Sequence, residues 1–577
     1  MKRLSTVLIT LLCTAACCLA QTAYDFSKLK MEPLGRGVIA VRKSPSEVFV
    51  SWRYLSSDPA GAAFDIYRDG VKVNGKAVKD VCWFIDGNSS SSAATYEVRP
   101  RKGGLKSGSF ILPANAPEGY IPIALDIPAP QTMPNGEVAT YSPNDCSIGD
   151  VDGDGEYEIF LKWDPSNSHD NAHNGYTADV FIDCLKLDGT RLWRVNLGRN
   201  IRAGAHYTQM MVYDLDGDGC AEMVVKTSDG TIDGTSKVIG DPAADYREHG
   251  KNTLGRIMSG NEYLTIFNGR TGAAMKTIDY LPGRGENGSW GDTHANRSDR
   301  HLAAIAYLDG EHPSVVMCRG YYTRATLAAY DWDGKDLKLR WFFDSHSSPE
   351  LKSYDGQGNH NLRVADVDGD GCDEIVYGAC CIDHDGTGLY NTGWKHGDAM
   401  HIGAMIPGSD ELQVWIGHET KGVGTTLTDA RTGKLYFRIP SNTDVGRTMA
   451  ADIDPTNPGW ELWSSASGTL RNYRGEEIGE KPATQNFAVW WDGDLSRELL
   501  DGNKVLKFNP QTRKVEEFSV FEGATSNNGT KSNPCISGDL FGDWREEVLM
   551  RSSDNRELRL YVSTEPTDYR FHTFLED

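Results

Sequence analysis

The chain has 577 residues, 39% hydrophobic and 10% aromatic, which is enough to bury a real core and excludes a disordered chain. A formal net charge of −22 disfavours nucleic acid and anionic membranes as partners and leaves room for bound cations. The 61 glycines, against 24% charged residues, suit many short strands joined by tight turns.

At the N-terminus, Lys2 and Arg3 precede the apolar run "VLITLLCTAA" (7–16), the pattern of a secretory signal removed after Ala20. Cleavage before Cys17 with lipid attachment is the alternative, although Thr14 stands where a larger apolar residue is preferred. The expected location is therefore secreted or periplasmic, with a lipid-anchored outer-membrane form as the variant. No other run is long enough to span a membrane. Of 12 cysteines, three (Cys13, Cys17, Cys18) lie in or beside this segment, and the remaining nine lack CxxC spacing, which argues against a zinc ribbon or a disulfide scaffold. Cys380 and Cys381 read as small hydrophobes on a strand.

Residues 31–112 alternate short β-type runs ("EVFVSWRYL", "AAFDIYRDGVKVN", "ATYEVRP") around an Asp-Gly turn, which predicts a small sandwich of the fibronectin type III kind within 21–125. The Pro-rich "IPIALDIPAPQTMPNG" (121–136) reads as a linker.

A repeat begins beyond it. "DVDGDGEYEIFLK" (150–162), "DLDGDGCAEMVVK" (214–226) and "DVDGDGCDEIVYG" (366–378) all read D-x-D-G-D-G-x-x-E followed by an apolar run. Weaker copies keep Asp452, Asp454 and Glu461, then Asp539, Asp543 and Glu547, then Asp492, Asp494 and Glu498. Carboxylates at positions 1, 3, 5 and 9 (Asp150, Asp152, Asp154 and Glu158; Asp214, Asp216, Asp218 and Glu222; Asp366, Asp368, Asp370 and Glu374) can surround a calcium ion. An EF-hand would close at position 12 between helices, whereas these loops run into strands. Metal-free Asp-Gly turns are the bland alternative. Between the loops recur "LKLDGTRLWRV", "IFNGRTGAAMKTI", "YDWDGKDLKLRWFF" and "LTDARTGKLYFRI", each strand, turn, strand. Loop, strand and hairpin repeating at several tens of residues predict a β-propeller of roughly seven or eight blades across 126–577.

Some polar residues fall outside this repeat. "GQGNHN", "WKHGDAMH" and "IGHE" supply His360, His396, Asp398, His401 and Glu419, a set able to form one mixed metal site, for which imidazole suits zinc or manganese better than calcium. His396 and Asp398, two apart, would share one strand face. "SNNGTKSNP" carries Lys531, and "TDVGRTMAAD" carries Arg447. No G-x-S-x-G elbow, P-loop or dinucleotide fingerprint in proper context is present.

The strings "FDIYRDGVKVN", "YSPNDCSIGDVDGDGEYE", "VVKTSDGT", "GQGNHNLRVADVDGDG", "GLYNTGWKHGDAMHIG", "TDVGRTMAADIDP" and "SNNGTKSNP" resemble the rhamnogalacturonan lyases of polysaccharide lyase family eleven over nearly the whole mature chain. The resemblance implies an eight-bladed propeller after an N-terminal β-domain, several structural calcium ions, and a cleft for the pectin rhamnogalacturonan I. It implies that His360, His396, Asp398 and Glu419 hold a cleft metal, calcium in the family, that Lys531 and Arg447 act in catalysis, and that Asn144, Asp164, Asn528, Gly529 and Thr530 bind sugar. The family pattern continues past "YRFHTFLED", so either a truncated chain or a last blade short of its closing strands is expected here.

The implied reaction is β-elimination at the 4-O-linked rhamnose of a uronate polymer. A cation on the carboxylate disperses charge, Lys531 removes the C5 proton, and Arg447 holds the uronate. A lysine can do so only where nearby cations or burial help it shed its own proton. The enzyme is expected to be a monomer and endo-acting. Rivals are a non-catalytic calcium-dependent glycan-binding propeller with integrin-like repeats, and a metal-dependent hydrolase.

Overall fold

A computed structural model describes residues 26–573. The expected signal segment, 1–20, and both its cleavage alternatives lie outside the described residues. The described chain is all-β, with only three short 3-10 turns.

In the N-terminal unit, Ile39–Ser44, Glu47–Ser51 and Trp83–Asp86 form one sheet, and Val71–Lys72, Phe64–Arg68, Ala94–Pro100 and Gly108–Leu112 form another. Alternation decides which sides meet. Phe64, Ile66, Tyr96 and Val98 point inward with Val48, Val50 and Trp52 to make one core. The Asp-Gly turn predicted between Phe64–Arg68 and Val71–Lys72 has both residues at positive φ (Asp69 51°, Gly70 77°), as a two-residue hairpin turn requires.

Seven further sheets of at least four strands follow, and one of them, of eight strands, divides at a single parallel bridge (Asn359↔Gly397) into two four-stranded antiparallel halves, counted below as the fourth and fifth of eight sheets; Gln131–Thr132 and Val138–Ala139 form a separate two-stranded pair. The first begins with Tyr141–Gly149, Glu158–Pro165, Phe181–Leu185 and Arg191–Asn196. The fourth holds Gly358–Ala365, Glu374–Gly378, Cys380–Ile382 and Gly388–Asn391, with Cys380 and Cys381 buried as apolar side chains. The predicted hairpins form the third and fourth strands of the first, second, third and fifth sheets. First strands lie against one another in succession: Tyr141–Gly149 against Met210–Tyr213, then His301–Ala306, Gly358–Ala365, Gly397–Gly403 and Thr448–Ala451. Ile536–Gly538, first strand of the eighth sheet, returns to lie against Tyr141–Gly149.

The eighth sheet corrects two expectations. Its outer strand is Tyr120–Ala124, paired antiparallel with Glu557–Tyr561 from Glu557↔Ala124 to Tyr561↔Tyr120. The start of the presumed linker therefore completes the last sheet, and a boundary at 125/126 separates this strand from its partner. The last sheet is not short of its fourth strand. Its missing hydrogen-bonding edge is filled from a segment more than 400 residues upstream, and Ile121 and Ile123 enter a shared core with Leu549, Leu558 and Leu560 of the eighth sheet and Ile159 and Leu161 of the first.

All six aspartate loops join the first to the second strand of their sheets, so they share one end of the assembly. Each uses the same bond. The closing glutamate accepts an N–H from the loop's opening: Val151 to Glu158 (3.0 Å), Leu215 to Glu222 (3.0 Å), Val367 to Glu374 (2.8 Å), Ile453 to Glu461 (2.9 Å), Trp491 to Glu498 (3.0 Å) and Leu540 to Glu547 (2.8 Å). The opening aspartate gathers the glycine amides; Asp150 takes Gly153 (2.8 Å) and Gly155 (2.7 Å). The N-terminal unit seats on this end. Fully buried Arg53 donates to the Leu540 carbonyl at 2.5 Å and stacks over Tyr157, and Gly35 donates to the Gly155 carbonyl at 2.8 Å.

Candidate functional site

The predicted site residues lie at the opposite ends of the same strands. His360 is near the start of Gly358–Ala365, and His396 and Asp398 flank the start of Gly397–Gly403. Glu419 follows Gln413–His418, Arg447 precedes Thr448–Ala451, and Asp164 is near the end of Glu158–Pro165. Lys531 comes from the loop before Ile536–Gly538, where Asn528 and Gly529 are both left-handed (φ 58° and 60°) and reverse the chain sharply.

His360, His396 and Glu419 converge, with their ligand atoms within 4.8 Å of one another. Glu419 Oε1 lies 3.2 Å from His360 Nε2, and Oε2 lies 3.6 Å from His396 Nε2. The hydrogen bond to His360, and then the nearby His396 ring, hold the Glu419 carboxyl well below its ordinary range. The His396 Nδ1–H donates to the Gly358 carbonyl at 2.7 Å, which leaves Nε2 as a bare lone pair. That nitrogen is buried without a hydrogen-bond partner while facing a carboxylate oxygen. Two acceptors so placed call for positive charge between them, so the donor set fits a divalent cation.

Asp398 points elsewhere, and its carboxylate accepts from Lys531 Nζ. The register of Gly397–Gly403 slips between Gly397 and Met400, so simple alternation does not hold there, and His396 and Asp398 turn to different partners, Glu419 and Lys531, rather than sharing one face. His401 stays out of the cluster. Its Nε2–H donates to the Thr448 carbonyl at 2.9 Å, and burial lowers its pKa to about 4. Arg447 donates to the Thr530 hydroxyl at 3.0 Å. His360, Asp398, Arg447 and Lys531 line one cavity of about 430 Å³. Asn144, Asp164 and Asn528 line a second of about 450 Å³. A third, sharing Asn361 and Arg363 with the one and Asp145 and Lys162 with the other, lies between them.

Several contributors escaped the sequence reading. Tyr321 and Tyr322, from "CRGYYTRAT", wall the imidazoles; Tyr322 lies 4.3 Å from the His396 ring, and Tyr321 stacks on it at 5.3 Å. His206 sits 5.6 Å from the His360 ring, and burial, with Arg300 beside it, keeps it neutral. Asp444 is raised by burial, then by Glu419 and Asp398. Buried Lys162 faces Asp145 at 3.6 Å. Asp444 lies in "TDVGRTMAAD", three residues before Arg447. The tyrosines and His206 carried no local signal.

Among the aspartate loops, Asp150, Asp152 and Glu158 come together, as do Asp214, Asp216 and Asp218. Asp152 Oδ1, Asp368 Oδ1 and Glu374 Oε1 are buried without hydrogen-bond partners, which fits oxygen ligation of a hard cation. Protein cations also serve these loops: Lys186 reaches the other oxygen of Asp152 (2.9 Å), Arg513 reaches Asp454 (2.8 Å), and Lys507 sits among Asp492, Asp494 and Glu498.

These features define an all-β protein with a long polar cleft in which an amine, a guanidinium and an imidazole–carboxylate cluster meet. A family model described as rhamnogalacturonan lyase family 11, C-terminal domain, matches residues 120–577, and one described as the rhamnogalacturonan I lyase β-sheet domain matches 29–109. The chain is 51% identical over 552 residues to rhamnogalacturonan endolyase YesW of Bacillus subtilis, covering 95% of this chain and 87% of that protein. It is 50% identical over 568 residues to rhamnogalacturonan exolyase YesX of the same organism, covering 95% and 92%. The solved rhamnogalacturonan lyase PL11 of Bacillus licheniformis superposes with a TM-score of 0.91 at 50% identity, covering 95% of this chain and 93% of that one. The chain belongs to rhamnogalacturonan lyase family 11 and is a polysaccharide lyase.

Proposed function

We propose that the protein cleaves the rhamnose-(1→4)-galacturonate bond of rhamnogalacturonan I by cation-assisted β-elimination. The observation that carries this reading is the placement of Lys531 on Asp398, in the cavity that also holds His360 and Arg447, beside the His360/His396/Glu419 cluster. His360, His396 and Glu419, with Asp398 adjacent, would hold the cation, which when bound supplies charge stabilisation to the uronate carboxylate.

Arg447 lies within reach of the same carboxylate and orients it. Lys531 leaves Asp398 for substrate and takes the C5 proton in its neutral form. Electrons of that C–H bond form the C4–C5 double bond as the C4–O bond breaks, and rhamnose leaves with its oxygen, which takes a proton from solvent while Lys531 releases the one it removed. Tyr321 and Tyr322 hold the imidazoles and exclude water from their far side. Lys162, Arg363, Arg447 and Lys531 put positive charge along the cleft of a chain of net charge −22, which suits an acidic polymer. Asn144, Asp164, Asn528, Gly529 and Thr530 are assigned to sugar binding along the joined cavities.

The architecture of this reading is an eight-bladed propeller closed by Tyr120–Ala124, behind a fibronectin type III-like domain, with aspartate loops that bind calcium. Endo cleavage is proposed because the three cavities adjoin end to end. Shortening of a long polymer before small oligosaccharides accumulate tests this, and early release of disaccharide alone would reject it. The elimination itself is tested by ultraviolet absorbance of the unsaturated product. Reducing ends without that absorbance would favour the hydrolase, and neither signal would favour the glycan binder.

A further inference from the structure

The sheets close on one another where the eighth meets the first, and a cysteine stands on each side of that seam. The Cys146 N–H, in Tyr141–Gly149, donates to the Cys535 carbonyl at 2.9 Å, while the Cys535 N–H stays within its own sheet and donates to the Leu549 carbonyl at 2.8 Å. A backbone bond of this kind sets two Cα atoms roughly 5–6 Å apart, inside the window of roughly 4.4–6.8 Å that a disulfide spans. The side chains meet as well. Burial, and then the Cys535 thiol beside it, hold the Cys146 thiol above its ordinary value. Both residues are thiols in the structure.

This pair differs from the cysteines that serve as packing. Cys184, Cys318 and Cys380 are enclosed in apolar clusters, where a thiol is a small hydrophobe. Cys146 instead lines the middle cavity of the cleft, so a reagent in the cleft can reach its sulfur. The loop that carries Lys531 is rooted at the same seam. Asn527 donates its N–H to the Asn533 carbonyl at 2.9 Å, and its Nδ2 lies 3.6 Å from Cys535 Sγ. Asn533 Nδ2 donates to Asp145 Oδ1 at 3.2 Å, across to the residue before Cys146. A covalent bond here would reinforce polar contacts that already tie this loop to the first sheet.

We propose that Cys146 and Cys535 are an oxidation site, converted by a disulfide donor into a cystine that seals the first sheet to the eighth and tethers the Lys531 loop at its root. The Cys146 sulfur attacks the donor and expels one thiol. Cys535 then attacks the Cys146 sulfur, the new S–S bond forms, and the donor's second thiol leaves, so two protons and two electrons pass from the pair to the donor. The proposal holds whichever polymer the cleft takes. Buried thiols exchange slowly, so the native full chain is held for many hours with oxidised glutathione, alkylated under denaturing conditions, digested and read by mass spectrometry. The expected result is a peptide pair joined through Cys146 and Cys535 that dithiothreitol separates. Because the link closes a long stretch of chain, it restricts the unfolded state. The melting temperature of the oxidised wild type should therefore fall on reduction, while Cys146→Ala and Cys535→Ala should not respond. Cys146 recovered fully alkylated, carrying glutathione alone, or joined to a different cysteine would overturn the proposal. A melting temperature that responds to dithiothreitol equally in wild type and variants would do the same.

Discussion

The two ends of the eight sheets use the same residue types in opposite ways. At one end, buried carboxylates are repeated and bind backbone amides, and the N-terminal unit seats on the loops of the first and eighth sheets. Burial raises the pKa of Glu158 and Glu461 to about 7, of Glu222 to about 8 and of Glu374 to about 9. At the other end, Glu419 is a single carboxylate between two imidazoles and is held low. A buried carboxylate without a cation is a liability at the first end, while at the second Glu419 is held ionised and, with the bare His396 Nε2, is placed to take a cation. This contrast separates residues that build the scaffold from residues proposed to act on substrate.

The largest expected effect breaks the chemistry alone. Lys531→Ala should cut turnover by at least ~100-fold, the scale of general base catalysis, with the melting temperature unchanged because Lys531 is half exposed. Near-normal turnover would remove it from the mechanism. Next, His396→Ala should abolish turnover and the cleft cation together, measured as one metal equivalent lost. Retained metal would place the cation elsewhere. Glu222→Gln works at the other end. The amide keeps the bond from Leu215, so metal-free stability should be unchanged, while the calcium-dependent rise in melting temperature shrinks and turnover at saturating substrate stays within about twofold. A collapse in turnover would show that the two ends are coupled.

The smallest effect concerns pH. The raised glutamates keep protons in the folded chain that the unfolded chain releases above the ordinary 4.5, so their contribution is full below that pH. It is lost as pH rises through about 7 to 9. The metal-free melting temperature should therefore fall across this window, and calcium should flatten the slope. Glu419 has the opposite sign: its contribution is present above 4.5 and is lost as pH falls toward its depressed value. A metal-free stability that rose from neutral to alkaline pH would contradict the scaffold half of the comparison.

Local sequence announced the loops because their chemistry is local. Asp150, Gly153 and Gly155 lie within six residues, and the amide bonds that define the turn never leave the segment. The hairpins were legible for the same reason. Individual cleft residues could be picked out as polar strings outside the repeat, but how they divide could not. Asp398 parts from His396 through a register slip, and His401 turns to a backbone carbonyl on the next sheet. Tyr321, Tyr322 and His206 reach the site from other sheets and had no nearby partner to betray them.

The order of residues alone therefore determined the all-β class, the repeat, the oxygen-rich loops and the polar segments able to carry chemistry, since strand alternation and turn geometry act over a few residues. Only the tertiary structure decided that Tyr120–Ala124 completes the eighth sheet and that Lys531 meets Asp398 across 133 positions. It also decided that the loops and the cleft occupy opposite ends of common strands. Those outcomes depend on which edges need hydrogen-bond partners and which faces need burial once all the sheets are assembled, conditions that no short window of sequence contains.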